Sequence, residues 1–205
     1  MINISTSLKK LLLVAAAVTF FAAPSLADTV TFSGDTTGGP SFNRTVTGAA
    51  PGMLSTLGTA VRFSVFQINV SITGNYSFES TALTPGYDPF LALYVNSFNA
   101  AAPLANFVIA NDDRNPGNFT QSALGVFSTL QLTAGVNYFL VQTGRDNGDF
   151  GAFTVTANGP GTITVTPGGA APIPEPATLL LLGTGLAGVG AAARRRRRAG
   201  DGEQS

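Results

Sequence analysis

The stretch Val61-Arg62-Phe63-Ser64-Val65-Phe66-Gln67-Ile68-Asn69-Val70-Ser71-Ile72 decides the fold. Apolar residues alternate at Val61, Phe63 and Val65. They alternate again at Phe66, Ile68, Val70 and Ile72, with the parity shifted by one. A period of two places successive side chains on opposite faces of an extended strand. A parity shift inside such a run predicts a β-bulge, or a strand that changes sheets.

The same texture extends on both sides. Val, Thr, Phe, Tyr and Ile recur in short runs broken by Gly, Pro, Asn and Asp, and no stretch holds a period near 3.6. Strands are predicted near 29–33, 41–46, 60–72, 75–80, 90–95, 105–111, 123–132, 136–143, 150–157 and 161–166. Tyr76 with Phe78, Leu91 with Leu93 and Val95, and Phe153 with Val155 each mark one face. Thr73-Gly74-Asn75 and Thr133-Ala134-Gly135 read as hairpin loops. Asp146-Asn147-Gly148-Asp149 reads as a tight turn, with Gly148 free to adopt positive φ. The fold class is all-β: a single antiparallel β-sandwich, jelly-roll-like, over residues 28–166.

Composition removes whole chemistries. The 205 residues contain no His, Cys or Trp. A Ser-His-Asp triad, a thiol nucleophile and an imidazole or thiolate metal site are therefore excluded. The remaining hard ligands are carboxylates and carbonyls, which suit calcium better than a transition metal. Between residues 28 and 173 the basic residues are Arg44, Arg62, Arg114 and Arg145, against eight acids, so this segment is net acidic. Nucleic acid is a poor partner for it, because neutralising phosphates needs a basic face.

The two ends differ from the middle. Lys9-Lys10, an apolar run from Leu11 to Ala23, and Pro24-Ser25-Leu26-Ala27 have the layout of a signal peptide over 1–27, cleaved after Ala27. At the other end, Gly- and Pro-rich residues 167–173 form a linker. Pro174-Glu175-Pro176 follows, then an apolar stretch over 177–193, then Arg194, Arg195, Arg196, Arg197 and Arg198, and a short tail over 199–205. As a helix the apolar stretch would measure roughly 26 Å at 1.5 Å per residue, enough to reach across a bilayer core as a transmembrane helix. The arginine cluster holds the tail on the cytoplasmic side by the positive-inside rule, so the middle segment lies outside the inner membrane.

This combination of Pro-Glu-Pro triplet, Gly/Leu-rich apolar stretch and basic cluster resembles the PEP-CTERM sorting signal of Gram-negative bacteria, over residues 174–198. The resemblance implies processing by exosortase, a membrane protease-transpeptidase that removes the tail. It also implies a transient membrane anchor through the C-terminal helix, a bacterium that makes exopolysaccharide, and a product at the cell surface or in the extracellular matrix.

A second resemblance covers Val61 to Ala157. Gly74-Asn75-Tyr76-Ser77-Phe78, Tyr87-Asp88-Pro89-Phe90-Leu91-Ala92-Leu93-Tyr94, Ala110-Asn111-Asp112-Asp113, the run Leu132 to Val141, and Gly151-Ala152-Phe153-Thr154-Val155 stand in the order seen in the bacterial pre-peptidase C-terminal domain. That domain is a β-sandwich that accompanies secreted enzymes as a noncatalytic accessory, and some of its relatives bind calcium. No enzyme domain accompanies it in this sequence.

Asp88, Asn111, Asp112 and Asp113 form the best polar cluster, supplied by two loops at the ends of predicted strands. Adjacent carboxylates repel unless a cation or solvent lies between them, so calcium is a coherent ligand. Asn-Asp-Asp and Asp-Pro are also good turn sequences, so the four residues read either as calcium ligands or as turn chemistry. Asp146 and Asp149 lack the alternating oxygens of a calcium loop and read as a turn. Paired acids could serve glycoside hydrolysis, but these sit in turns, away from the apolar runs that raise a pKa. Tyr87, Phe90 and Phe119 could stack on sugar rings if exposed, or else fill the core. The expectation is a noncatalytic surface or matrix protein that contacts exopolysaccharide or envelope components. An accessory module for a separate secreted enzyme is the alternative, and a carboxylate glycan hydrolase the third reading.

Overall fold

The computed structural model describes residues 27–126 and 128–168. They form strands β1 (Ala27–Asp35), β2 (Ser41–Phe42), β3 (Gly48–Ala49), β4 (Val61–Val70), β5 (Gly74–Asn75), β6 (Ser77–Ala82), β7 (Pro89–Val95), β8 (Phe107–Asn111), β9 (Gln121–Leu124), β10 (Gln131–Leu132), β11 (Tyr138–Gly144), β12 (Ala152–Pro160) and β13 (Ile163–Gly168). There is no helix among the described residues. A narrow sheet has the order β1-β12-β6-β9, and a wide sheet the order β13-β4-β11-β7-β8-β3 with β2 added beside β4. β5 and β10 form a small separate ribbon. The ladders are antiparallel throughout.

The narrow and wide sheets share a core. Phe78, Phe153, Val155 and Ala157 from the narrow sheet pack with Phe66, Ile68, Leu91, Leu93 and Leu140 from the wide one. The all-β, sandwich-like fold follows from this alternation: the inward face of each sheet is apolar, and burying each such side chain contributes about 1.5–3 kcal/mol.

β4 behaves differently from the expectation of a bulge or a change of sheet. It pairs with β11 from Phe63 to Ile68 and with β13 from Val65 to Val70, with no register shift. The strand carries no bulge and stays in one sheet with β11 and β13. What changes is the face that is covered. Phe66, Ile68 and Val70 enter the inter-sheet core. Val61, Phe63 and Val65 enter a second core on the outer side of the wide sheet, with Phe42, Phe90, Tyr94, Phe98 and Phe107. The parity shift in the sequence therefore records two coverings of one strand. The register shift within the sheet lies at Leu93/Tyr94, between β7 and β8.

The two expected hairpins are also replaced. β4 and β6 lie in different sheets, so Thr73-Gly74-Asn75 carries the chain across the sandwich, and Gly74-Asn75 pairs with β10 on the way. Thr133-Ala134-Gly135 does form a tight turn, with the Val136 amide donating to Thr133 O at 3.3 Å and Gly135 at φ 80°. This turn links the small ribbon to the wide sheet and closes no hairpin. Asp146 to Asp149 is a turn, its Asp149 amide donating to Asp146 O at 3.0 Å. Gly148 is not among the positive-φ residues, so that turn needs no left-handed glycine.

The expected strand 123–132 is two strands, β9 and β10. The chain turns at Gly125, where φ is 73° and a Cβ would collide with Tyr76 O. Leu124, Leu130 and Leu132 are all buried, and that gives the segment its single-strand look. β13 runs to Gly168, two residues into the stretch read as linker; Pro167 is tolerated because β13 is an edge strand.

Buried polar bonds knit one end of the sandwich. Tyr87 Oη donates to Thr143 O at 2.9 Å, Gln142 Nε2 donates to Tyr87 Oη at 2.8 Å, and the Gly151 amide donates to Thr36 Oγ1 at 3.0 Å. Burial pushes the Tyr87 hydroxyl well above its ordinary range, so it stays a neutral donor. These bonds hold the entries to β7 and β12 and the ends of β1 and β11 together. Asp88 follows Tyr87 at that end.

Candidate functional site at the acidic end of the sandwich

β7 and β8 run antiparallel with Leu91 opposite Asn111. The residues just after β8 therefore return to the residue just before β7. This brings Asp112 and Asp113 to Asp88, and one oxygen from each of the three carboxylates lies within 4.8 Å of the others. Asp88 Oδ1, Asp112 Oδ1 and Asp113 Oδ1 are each buried without a hydrogen-bond partner. An anionic oxygen withdrawn from water with nothing to receive its charge is costly. A cation between the three would remove that cost. Three hard anionic oxygens fit the oxygen-only shell that calcium takes.

Asn111 has a different place from its three neighbours. Its Nδ2 donates to Asp113 O at 3.0 Å and to Ala123 O at 2.9 Å. It ties the acidic loop to β9 and so shapes the cluster through its amide N–H groups.

The electrostatics follow from crowding. Burial, reinforced by Asp112, Asp113 and Asp149, pushes Asp88 up to about 7. Burial and then Asp113 raise Asp112, against the pull of Arg44 and Arg145. Burial raises Asp149 as well.

Two arginines and a second loop complete the site. Arg145 follows β11, which pairs with β7 so that Gly144 faces Pro89. The next pair outward is Arg145 and Asp88, and the Arg145 amide donates to Asp88 O at 3.0 Å. The Arg145 guanidinium reaches Asp112 at 3.3 Å and Asp146 at 3.6 Å. Asp146 Oδ1 is another buried, unpartnered oxygen. Arg44 is only 4 % exposed; its Nε donates to Arg145 O at 2.8 Å and its guanidinium lies 4.0 Å from the Phe90 ring centroid. Burial lowers its pKa, with Asp112 and Asp146 opposing. Arg145 reaches the cluster through the pairing of β7 with β11, which local sequence does not specify. Arg44 carries no signal either, because its strand signal predicts only a surface position.

Tyr87 and Phe90, considered as sugar-stacking rings, are core residues at 2 % and 0 % exposure; Phe119 is exposed. Ala27 is the first residue of β1, and the Asp28 carboxylate after it accepts the Ile163 amide at 2.9 Å. The signal-peptide run before Ala27, the transmembrane helix 177–193, and Pro174, Glu175, Pro176 and Arg194 to Arg198 lie outside the described residues.

Residues 172–198 match the PEP-CTERM protein-sorting motif. The motif marks an exported protein processed by exosortase at the membrane of a Gram-negative bacterium. It covers the C-terminal end alone and leaves the sandwich unassigned. No curated protein matches the chain.

Proposed function

We propose that the chain is a noncatalytic protein of the cell surface or extracellular matrix, sorted by exosortase, whose sandwich contacts exopolysaccharide or other envelope components. The observation that carries this reading is the sorting motif at 172–198, which begins four residues after β13 ends. The sandwich is of the pre-peptidase C-terminal type in this reading, and its acidic end holds calcium through Asp88, Asp112 and Asp113. The absence of His and Cys supports a role without catalysis.

Calcium would do structural chemistry here. It would join the end of β8 to the entry of β7 and relieve the repulsion among carboxylates that Arg145 only partly offsets. Binding to the folded state alone raises the unfolding temperature. The test is thermal unfolding of the processed protein, purified from its producing cell, in millimolar calcium and in chelator. A rise in Tm with calcium that disappears in Asp112→Ala is expected; identical curves in both conditions overturn the cation site.

Sorting is tested separately. Replacing Pro174, Glu175 and Pro176 by alanine should leave an unprocessed, membrane-held chain, detected as a larger mass in the inner-membrane fraction. Unchanged mass and surface location would refute the sorting step. Asp88, with its raised pKa beside other carboxylates, is also what an acid–base pair would need. Hydrolysis of a glycan panel that vanishes in Asp88→Asn would replace the noncatalytic reading.

A further inference from the structure

The outer face of the wide sheet changes character along its strands. At the Val61 end it is buried under Phe42 and Phe98. At the Val70 end it lies open. There Thr164 faces Asn69 and Thr166 faces Gln67 across β13 and β4, and Gln67 faces Phe139 across β4 and β11. Ile68, Ile163 and Leu140 point into the inter-sheet core, so the residues alternating with them point outward. Thr164, Thr166 and Asn137 are exposed, Gln67 and Asn69 are half-buried, and Phe139 is half-buried where it packs against the outer core.

Three amides on this face are locked to one another. Asn69 Nδ2 donates to Asn137 Oδ1 at 2.7 Å, and Gln67 Nε2 donates to the same oxygen and to Asn69 Oδ1, both at 3.1 Å. Asn69 Nδ2 also reaches Val136 O at 3.4 Å. A solvated sheet face commonly pairs polar side chains two at a time across neighbouring strands, as Thr29 and Asn158 do at 2.8 Å on the narrow sheet. This one fixes an amide array whose remaining groups, Asn137 Nδ2 and Gln67 Oε1, bond to nothing among the described residues. A held donor and acceptor, beside two threonine hydroxyls and a half-buried phenyl ring, match a polyol: hydroxyls give and take hydrogen bonds, and the apolar side of a sugar ring rests on an aromatic. Prior ordering of the side chains lowers the entropy cost of binding.

Charge selects among polymers. Residues 64–76, 134–141 and 161–168 contain no charged side chain. An acidic polymer finds no arginine or lysine to pair with here. We propose that this face, centred on Asn69 and Asn137, binds the sugar units of a neutral polysaccharide. The inference rests on the proposed role at the polysaccharide-bearing surface and gives that role a site, away from the acidic end.

Affinity electrophoresis of the processed protein through gels containing a neutral β-glucan, a neutral galactomannan, alginate, or the producing bacterium's own exopolysaccharide tests it. A neutral polymer should retard the wild type, and alginate should not. Asn69→Ala/Asn137→Ala should weaken binding at least tenfold with Tm unchanged. Thr166→Glu, fully on the surface, should weaken it too and guards against misfolding of the double variant. Equal retardation of wild type and both variants overturns this face and leaves the polysaccharide role standing. Retardation by alginate alone also overturns it. Failure of the wild type to bind any of the four polymers overturns both.

Discussion

The two halves of β4 show how one strand can serve two environments. In the half ending at Val70 the inward face is buried and the outward face carries Gln67 and Asn69. In the half beginning at Val61 the outward face is buried under an aromatic cluster, and Arg62 and Ser64 are the half-exposed partners. The inter-sheet core is assembled from long ladders of both sheets. The outer core depends on rings delivered by short segments: Phe42 from a two-residue strand and Phe98 from the β7–β8 loop, in edge-to-face contact with Phe63 near 5 Å. A core between two sheets cannot be lost without losing the sandwich. A covering made by a loop can open alone.

The largest expected effect is on the inter-sheet side. Ile68→Ala removes a fully buried side chain flanked by β11 and β13 and should cost about 4 kcal/mol, with one cooperative transition. Phe98→Ala, at 8 % exposure in the outer core, should cost less, about 3 kcal/mol. Its distinctive sign is hydrogen exchange that speeds up around 41–46 and 96–107 while the β12 amides stay protected. Equal costs, or global exchange in Phe98→Ala, would merge the two cores into one unit and break the comparison.

Third comes the acidic end. Asp88 is held near 7 in the fold against about 3.9 in an unfolded chain, so the folded state keeps its proton longer. In chelator, stability should therefore fall as pH rises from about 4 to about 7 and level off above that. Asp112 and Asp149 act in the same direction. Millimolar calcium should flatten this fall, because a cation takes over the role of the proton. Unfolding temperatures measured from pH 4 to 8 in both conditions check it, and a rise with pH in chelator would contradict the carboxylate crowding. The smallest effect belongs to the open half of the outer face: Asn69→Ala should change stability by less than about 0.5 kcal/mol, since its neighbours remain exposed to water. A cost as large as that of Phe98→Ala would turn the amide array from a surface feature into part of the core.

Much of the candidate site is legible in the residue order alone. The spacing of Asp88 and Asp112-Asp113 at the ends of two apolar runs is a hairpin read from outside, and antiparallel pairing brings those ends together. Asp146 and Asp149 read as a turn, and a turn forms. Their placement beside the other acids depends on the path from β11 to β12, which local sequence does not contain. Arg44 is invisible in the sequence because a buried arginine looks like a surface one until its carbonyl partner and the Phe90 ring are known. The amide array is hidden because Gln67, Asn69 and Asn137 come from two segments about 70 residues apart, joined only by the register of β4 and β11.

The sequence by itself carries the C-terminal sorting motif, which implies export, and shows that the middle segment is built of strands. Both are short-range matters: an ordered set of residue types in one case, a period of two in the other. The tertiary structure alone decided which turns are hairpins and which are crossings, and that the parity shift at Val65-Phe66 marks a change of covering. It also decided that the 146–149 turn lies beside Asp88 and Asp112. Each of these depends on which strands become neighbours, and that is set by burying both apolar faces at once, a condition that no single segment can express.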